Sequence, residues 1–290
     1  MSTEVNKAFV QKFRDNFMHL SQQKGSKLRE TVRVHTDIKA KYDHFDRIGA
    51  TSAQLMTSRH ADTPLIDTPH SRRRVVLSDY NWADLVDSAD EIKMLSSPQS
   101  EYMKAGVWAM GRTMDDIIIT AYDGSATSVS ATDTTSSVSF DSNNSIAHAS
   151  ADMNVAKIVE AAKILADNDV DPDEERYAVV GPAQLEAMLN LEKISSGDYN
   201  TVKALVKGEI DTWMGFKWIV STRLPVAANI RSCFFYCKSA IGLSVGMDVK
   251  TSIDKRPDKN NSMQPYAQMS LGATRVEEAK IVRVYADESA

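Results

Sequence analysis

The apolar positions of the chain change their spacing near residue 76. Before it they are sparse. Phe9, Phe13, Phe17 and Leu20 recur at helical spacing ahead of Gly25, which predicts a short amphipathic helix on a mobile arm over about residues 1–30. TVRVHTDIKAKYDHFDR then alternates crudely, and ATSAQLMTSRHADTPLIDTPHSRRR is polar and broken by Pro64 and Pro69. With little to fill a core, residues 31–75 predict an extended hairpin or loop that leaves the domain body and takes its order from a partner.

Beyond that point the periods are clear. VVLSDYNWADLVD supplies a short apolar run, and a long helix follows with Ser97 as N-cap, Pro98 at its first position and Gly124 just past its end. Met103, Val107, Met110, Met114, Ile117, Ile118 and Ala121 follow the three-and-four spacing of one buried face. Thirteen of the 28 residues from Asp123 to Ser150 are Ser or Thr, with alternations such as SVSF that hint at an exposed hairpin, a surface feature or a subdomain boundary.

Residues 151–246 carry the pattern of a compact α/β section. Val155, Ile158, Val159, Ala162 and Leu165 mark the buried face of a helix, YAVV a strand, Pro182 the start of another helix, and TVKALVKG a short one. In GEIDTWMGFKWIVSTRLP, Trp213 and Met214 precede a turn at Gly215, and Phe216, Trp218 and Val220 fall on one strand face. SCFFYC and IGLSV supply further strands, and PYAQMSLGATRVEEAKIVRVYADES two more around a charged turn. No internal repeat is visible.

Composition adds few constraints. With 290 residues, 42% hydrophobic and 25% charged, the chain has ordinary globular values. No apolar run reaches the roughly 18 residues of a membrane helix, and MSTEVNKAFVQKF lacks the apolar centre of a secretory signal, so no membrane partner is expected. Charge is uneven: residues 1–75 hold 14 Lys and Arg against 8 Asp and Glu, while residues 76–290 hold 20 against 31. A basic front on an acidic body favours contact with other copies of the chain over specific nucleic-acid binding.

Candidate chemistry is thin. Gly242-Leu243-Ser244-Val245-Gly246 matches a nucleophile elbow, but all six histidines precede Ser244 and no helical face follows it. Asp167, Asp169, Asp171 and Asp173 alternate like a calcium loop, yet Pro172 and Ala178 occupy the positions that need Gly and Glu. His44, His60 and His70 lie among Asp43, Asp46, Asp62 and Asp67 without metal-site spacing, and His148 stands in the Ser-rich stretch without suitable neighbours. Cys233 and Cys237 share a strand face with Phe235 and fit small buried hydrophobes. Gly181-Pro182, at a strand-to-helix junction, is a weak anion-site signal. Arg72, Arg73 and Arg74 form a cluster too short for a nucleic-acid arm and suit contact with an acidic face of a neighbouring subunit. No catalytic residue, cofactor or metal is therefore assigned.

KYDHFDRIGATSAQ, RHADTPLIDTPHSRRRV, LSDYNWADLVD, SSGDYNTVKALVKGEIDTWMGFKWI and QMSLGATRVEEAKIV, long and in order, resemble one family of major capsid proteins of tailed double-stranded-DNA bacteriophages. The resemblance covers nearly the whole chain from about residue 31. It implies an α+β capsid fold: N-terminal arm 1–30, extended loop 31–75, peripheral domain 76–150 and 248–290 built on the long spine helix, and axial domain 151–247. It also implies assembly with itself, as hexameric and pentameric capsomers of an icosahedral shell, in the host cytoplasm and then in the virion. Portal, scaffolding or decoration proteins would be partners, and packaged double-stranded DNA would be touched only non-specifically. The family has no catalytic residues to carry over. On this reading Met103, Val107, Met110 and Met114 are spine core, Trp213, Phe216 and Trp218 frame the axial domain, and Glu209 and Asp211 join Arg72, Arg73 and Arg74 as inter-subunit contacts. A cargo-filled nanocompartment of the same fold, a serine hydrolase at GLSVG and a DNA-binding module are the alternatives.

Overall fold

The structure, a computed structural model, describes residues 20–56, 58–59, 62–63, 65–86, 99–130, 132–190 and 212–289. Phe9, Phe13, Phe17, Ser97, Pro98, Glu209, Asp211 and the segment TVKALVKG lie outside these residues. The strands in chain order begin with β1 (Arg33–His35), β2 (Tyr42–Ile48), β3 (His70–Val76) and β4 (Ser78–Ala83), followed by the long helix α1 (Gln99–Asp123). Then come β5 (Ala126–Val129), β6 (Thr135–Val138), β7 (Ser145–Ile146), α2 (Val155–Asp167), β8 (Arg176–Val180) and α3 (Pro182–Asn190). After α3 the chain continues through β9 (Thr212–Trp213), β10 (Phe216–Val220), β11 (Val226–Ala227) and β12 (Ile230–Cys237). It closes with β13 (Ile241–Arg256), β14 (Ser262–Arg275) and β15 (Ile281–Asp287).

Two compact units share this chain. The larger comprises Lys27–Ser78, Thr113–Met247 and Ser270–Ala290, the smaller Met1–Ser26, Asp79–Arg112 and Asp248–Met269. The larger unit is built on a mixed sheet in the order β7-β15-β12-β8-β10-β9, with β11 added beside β12. Its centre is apolar on both faces, as a covered sheet requires: Tyr177–Val180 and Cys233–Cys237 are buried without a break. Helix α2 packs against β15.

The α2 face differs from the one its spacing predicts. Ile158, Ala161 and Leu165 are buried, but Val159 is 49% exposed and Lys157 is buried instead. The reason is polar. Lys157 Nζ lies within hydrogen-bond distance of the carbonyls of His148 (2.9 Å), Ala151 (2.7 Å), Asp152 (3.2 Å) and Tyr285 (3.0 Å), so the helix turns its lysine inward to share three hydrogens among four acceptors.

A second, antiparallel sheet of the larger unit has the order β2-β3-β5-β6. The Ser/Thr-rich stretch thus forms a hairpin, β5–β6, that extends the β2–β3 ribbon. Residues 31–75, read as poor in core material, supply the fully buried Val32, Phe45 and Val75, of which Phe45 and Val75 cluster with Val276. Phe45 fits against Gly242, where an added methyl would overlap the ring. Strand β1 pairs in parallel with the start of β13, from Arg33 opposite Gly242 to His35 opposite Ser244.

Along α1, Met110 and Met114 are buried and Met103 and Val107 half-buried. In its second half Asp115 is fully buried and accepts from the backbone N–H groups of Lys27 (3.1 Å) and Leu28 (3.2 Å). Tyr122 follows, with its ring 4.8 Å from Phe234 and 4.7 Å from Tyr236. In the smaller unit Trp82 lies on Gly106, and Gly111 meets Gly25, two close approaches that a side chain at either helical glycine would block. Arg112 there donates to Gln22 Oε1 (3.0 Å) and to the Gln23 carbonyl (3.2 Å).

Candidate functional site

The tryptophan-rich stretch resolves into a tight hairpin. Met214 (φ 51°) and Gly215 (φ 80°) both sit in the left-handed region, the geometry of a two-residue turn whose twist matches its strands. Phe216 is fully buried and meets Phe235 edge-on at 5.1 Å. Trp218, half-buried, lies 5.9 Å from Phe235 and 5.6 Å from Trp213, and its Nε1 donates to the Trp213 carbonyl at 3.1 Å. Such offset and edge-on contacts add to the burial of the rings. The cluster ties β9–β10 onto β12, and it presents no reactive group.

The arginine run occupies β3, where alternation separates its members. Arg72 faces solvent and pairs with Asp46 at 2.6 Å. Arg74 is half-buried and stacks over Tyr42 at 4.7 Å. Arg73 turns the other way and is only 5% exposed. The run is therefore not one charged patch: its middle cation points into the protein.

Ser244 does not sit on an elbow. It lies inside β13, fully buried, and its hydroxyl donates to Asp43 Oδ2 at 2.7 Å. His35 Nδ1 meets the same oxygen at 3.0 Å, and the His35 ring stacks on Phe45 at 4.2 Å. Serine and histidine thus give hydrogens to one carboxylate, and the base-to-hydroxyl contact of a catalytic triad is not made. Burial pushes the Asp43 carboxyl up, but hydrogen bonds from Ser244, the His44 backbone and His35 outweigh it and hold the group below its ordinary value.

The other candidates are also absorbed by structure. Cys233 and Cys237 are buried free thiols, and burial pushes them up to about 12 and about 11, far from the thiolate form a nucleophile needs. The aspartate series forms the turn before β8, with Asp169 at φ 54° and Asp171 accepting from the Asp173 backbone at 3.0 Å. At Gly181-Pro182 the chain supplies its own anion: Glu288 pairs with Arg231, and Gln184 Nε2 donates to Glu288 at 3.3 Å. Among the described residues no three His, Cys, Asp or Glu side chains gather as a metal site, and no helix is long and apolar enough to cross a membrane.

What the geometry does hold is rigid strands, a hairpin anchored at its base and an aromatic frame, all features of shape. The side chains that sequence reasoning missed are the buried ions Lys157, Asp115 and Arg275, and Arg73, singled out as a subunit contact, is a fourth buried ion. The signal available for them was a charge placed at an apolar phase, as with Asp115 beside Met114 and Ile118.

Solved structures with a similar fold include phage capsids. The cyanophage P-SCSP1u capsid matches with a TM-score of 0.75 at 16% identity, over 99% of this chain and 95% of the other. The Ralstonia phage GP4 capsid gives 0.75 at 8% identity over 96% and 95%. A Mycobacterium phage Che8 structure gives 0.69 at 15% identity over 97% and 98%. No curated protein sequence matches the chain. The model of the phage capsid protein family matches residues 5–288. This chain therefore belongs to the phage capsid protein family.

Proposed function

We propose that the chain is the major shell subunit of a tailed phage, and that its copies assemble through hexamers and pentamers into a closed icosahedral shell around the genome. The observation that carries this reading is coverage: the family match takes up residues 5–288 of 290, so the chain's length is committed to one fold. Repetition supports the assembly step. An exposed ion pair is worth about 0–1 kcal/mol, but a symmetric shell repeats every contact many times, so weak contacts close it and still permit correction of errors.

In this proposal residues 1–30 are the arm, 31–75 the extended loop, 76–150 and 248–290 the peripheral domain, and 151–247 the axial domain. Contacts between subunits use the exposed face of β3 at Arg72 and Arg74, with Arg73 behind it, and the edge at Glu209 and Asp211. No catalysis is included, in keeping with the buried state of Ser244, Cys233 and Cys237. Portal and scaffolding or decoration proteins are the further partners, packaged DNA is touched non-specifically, and assembly occurs in the host cytoplasm.

Negative-stain electron microscopy of the expressed protein tests the proposal. Closed particles or ring-shaped capsomers are the expected result. A monodisperse monomer at every concentration would overturn it.

A further inference from the structure

We propose that Arg73, together with Arg47 and Arg275, forms a site for one small oxyanion of the phosphate or sulfate type. Two guanidinium groups of the larger unit converge on a single carboxylate, and a third binds the backbone beside it. Arg73 Nη2 lies 3.4 Å and Arg275 Nη2 3.3 Å from the same oxygen, Oε1 of Glu278. Arg47 donates to the carbonyl of Val276, two residues earlier, at 2.8 Å. Arg283 is matched separately, by Asp123 at 3.1 Å. The site thus holds two more cations than anions.

Its donors are also unfilled. Arg275 uses its Nη1 and Nη2 on the carbonyls of Tyr122, Gly124 and Val138, which leaves its Nε without a partner. Arg73 has neither Nε nor Nη1 bonded, although the residue is 95% buried. A buried charge with open donors is costly, and a bound ion is one of the few ways a native fold accommodates it. Burial holds the Arg73 guanidinium below its ordinary range, and the nearby charges of Arg47 and Arg275 add to that effect, with Glu278 acting against it.

Guanidinium forks match the oxygens of a tetrahedral anion in pairs. Size follows from access. The cluster meets solvent through the half-buried Arg47 and through Glu278, which keeps 24% exposure, so the proposal is confined to a free ion and does not extend to a nucleic-acid backbone.

The test is thermal unfolding of the purified full chain in rising inorganic phosphate, with sodium chloride at equal ionic strength as control and a short DNA duplex as a second arm. The expected result is a saturable rise of about 5 °C with phosphate, absent with chloride and with duplex. Arg73→Met should abolish the phosphate response, and Arg47→Gln should weaken it at least about tenfold in half-saturating concentration, the loss of one charge-assisted contact. Glu278→Gln, which removes the competing carboxylate, should shift half-saturation to lower phosphate. An equal rise in chloride, a response retained by Arg73→Met, or a response to duplex as strong as to phosphate would each overturn the site. If Arg73→Met does not fold, Arg47→Gln and Glu278→Gln decide: unchanged half-saturation in both refutes it.

Discussion

Ser244 donates to Asp43 at 2.7 Å although 201 residues separate them, and this bond fastens the base of the β2–β3 hairpin to β13. The Asp43 carboxyl is held below its ordinary value near 3.8, so the stability it contributes is complete above that value and disappears as pH falls through the lower, folded one. Urea unfolding between pH 2.5 and 7 should show Asp43→Asn flattening the acid limb of the stability curve. Ser244→Ala should cost about 1–2 kcal/mol at pH 7.

Gly242 is an obligatory gap beneath Phe45. Gly242→Ala and Phe45→Ala should each destabilise the chain. Combined, they should cost less than their sum, because the smaller ring position admits the new methyl. A double-mutant cycle by chemical denaturation measures the coupling.

The three N–H groups of the Lys157 ammonium are shared among four carbonyls. Lys157→Met keeps the length of the side chain but strands those acceptors, with an expected loss of about 3 kcal/mol. Val159→Lys, two positions away on the solvent side, should be nearly neutral, with both variants read by thermal unfolding.

In the aromatic frame, Phe216 is enclosed and Trp218 is only half-buried. Phe216→Ala should cost about 3–5 kcal/mol and Trp218→Ala less, read as soluble yield and melting temperature.

Arg72 and Asp46 form an exposed pair, with side chains 51% and 68% accessible. Arg72→Glu should move stability by no more than about 1 kcal/mol. The same change should lower shell yield in sedimentation if this face meets a neighbour.

Much of the framework was legible because local chemistry set it. The Trp213–Phe216 hairpin follows from Gly215, and α3 begins at Pro182. The buried ions were not legible, because each depends on at least one remote partner: Tyr285 is 128 residues from Lys157, and Tyr122 is 153 from Arg275. Phe45 was obscured for a related reason. Its immediate neighbours His44 and Asp46 are polar, and only Gly242, far along the chain, makes room for it.

The position of β15 within its sheet has a temporal consequence. It lies between β7 and β12, and its register with β12 runs from Ile281 to Asp287. Until the ribosome has delivered those residues, one side of β12 is a bare row of amide and carbonyl groups, open to wrong pairing. Completion of the larger unit therefore waits for residues 281–287, and a nascent chain has no finished surface to offer its siblings before then.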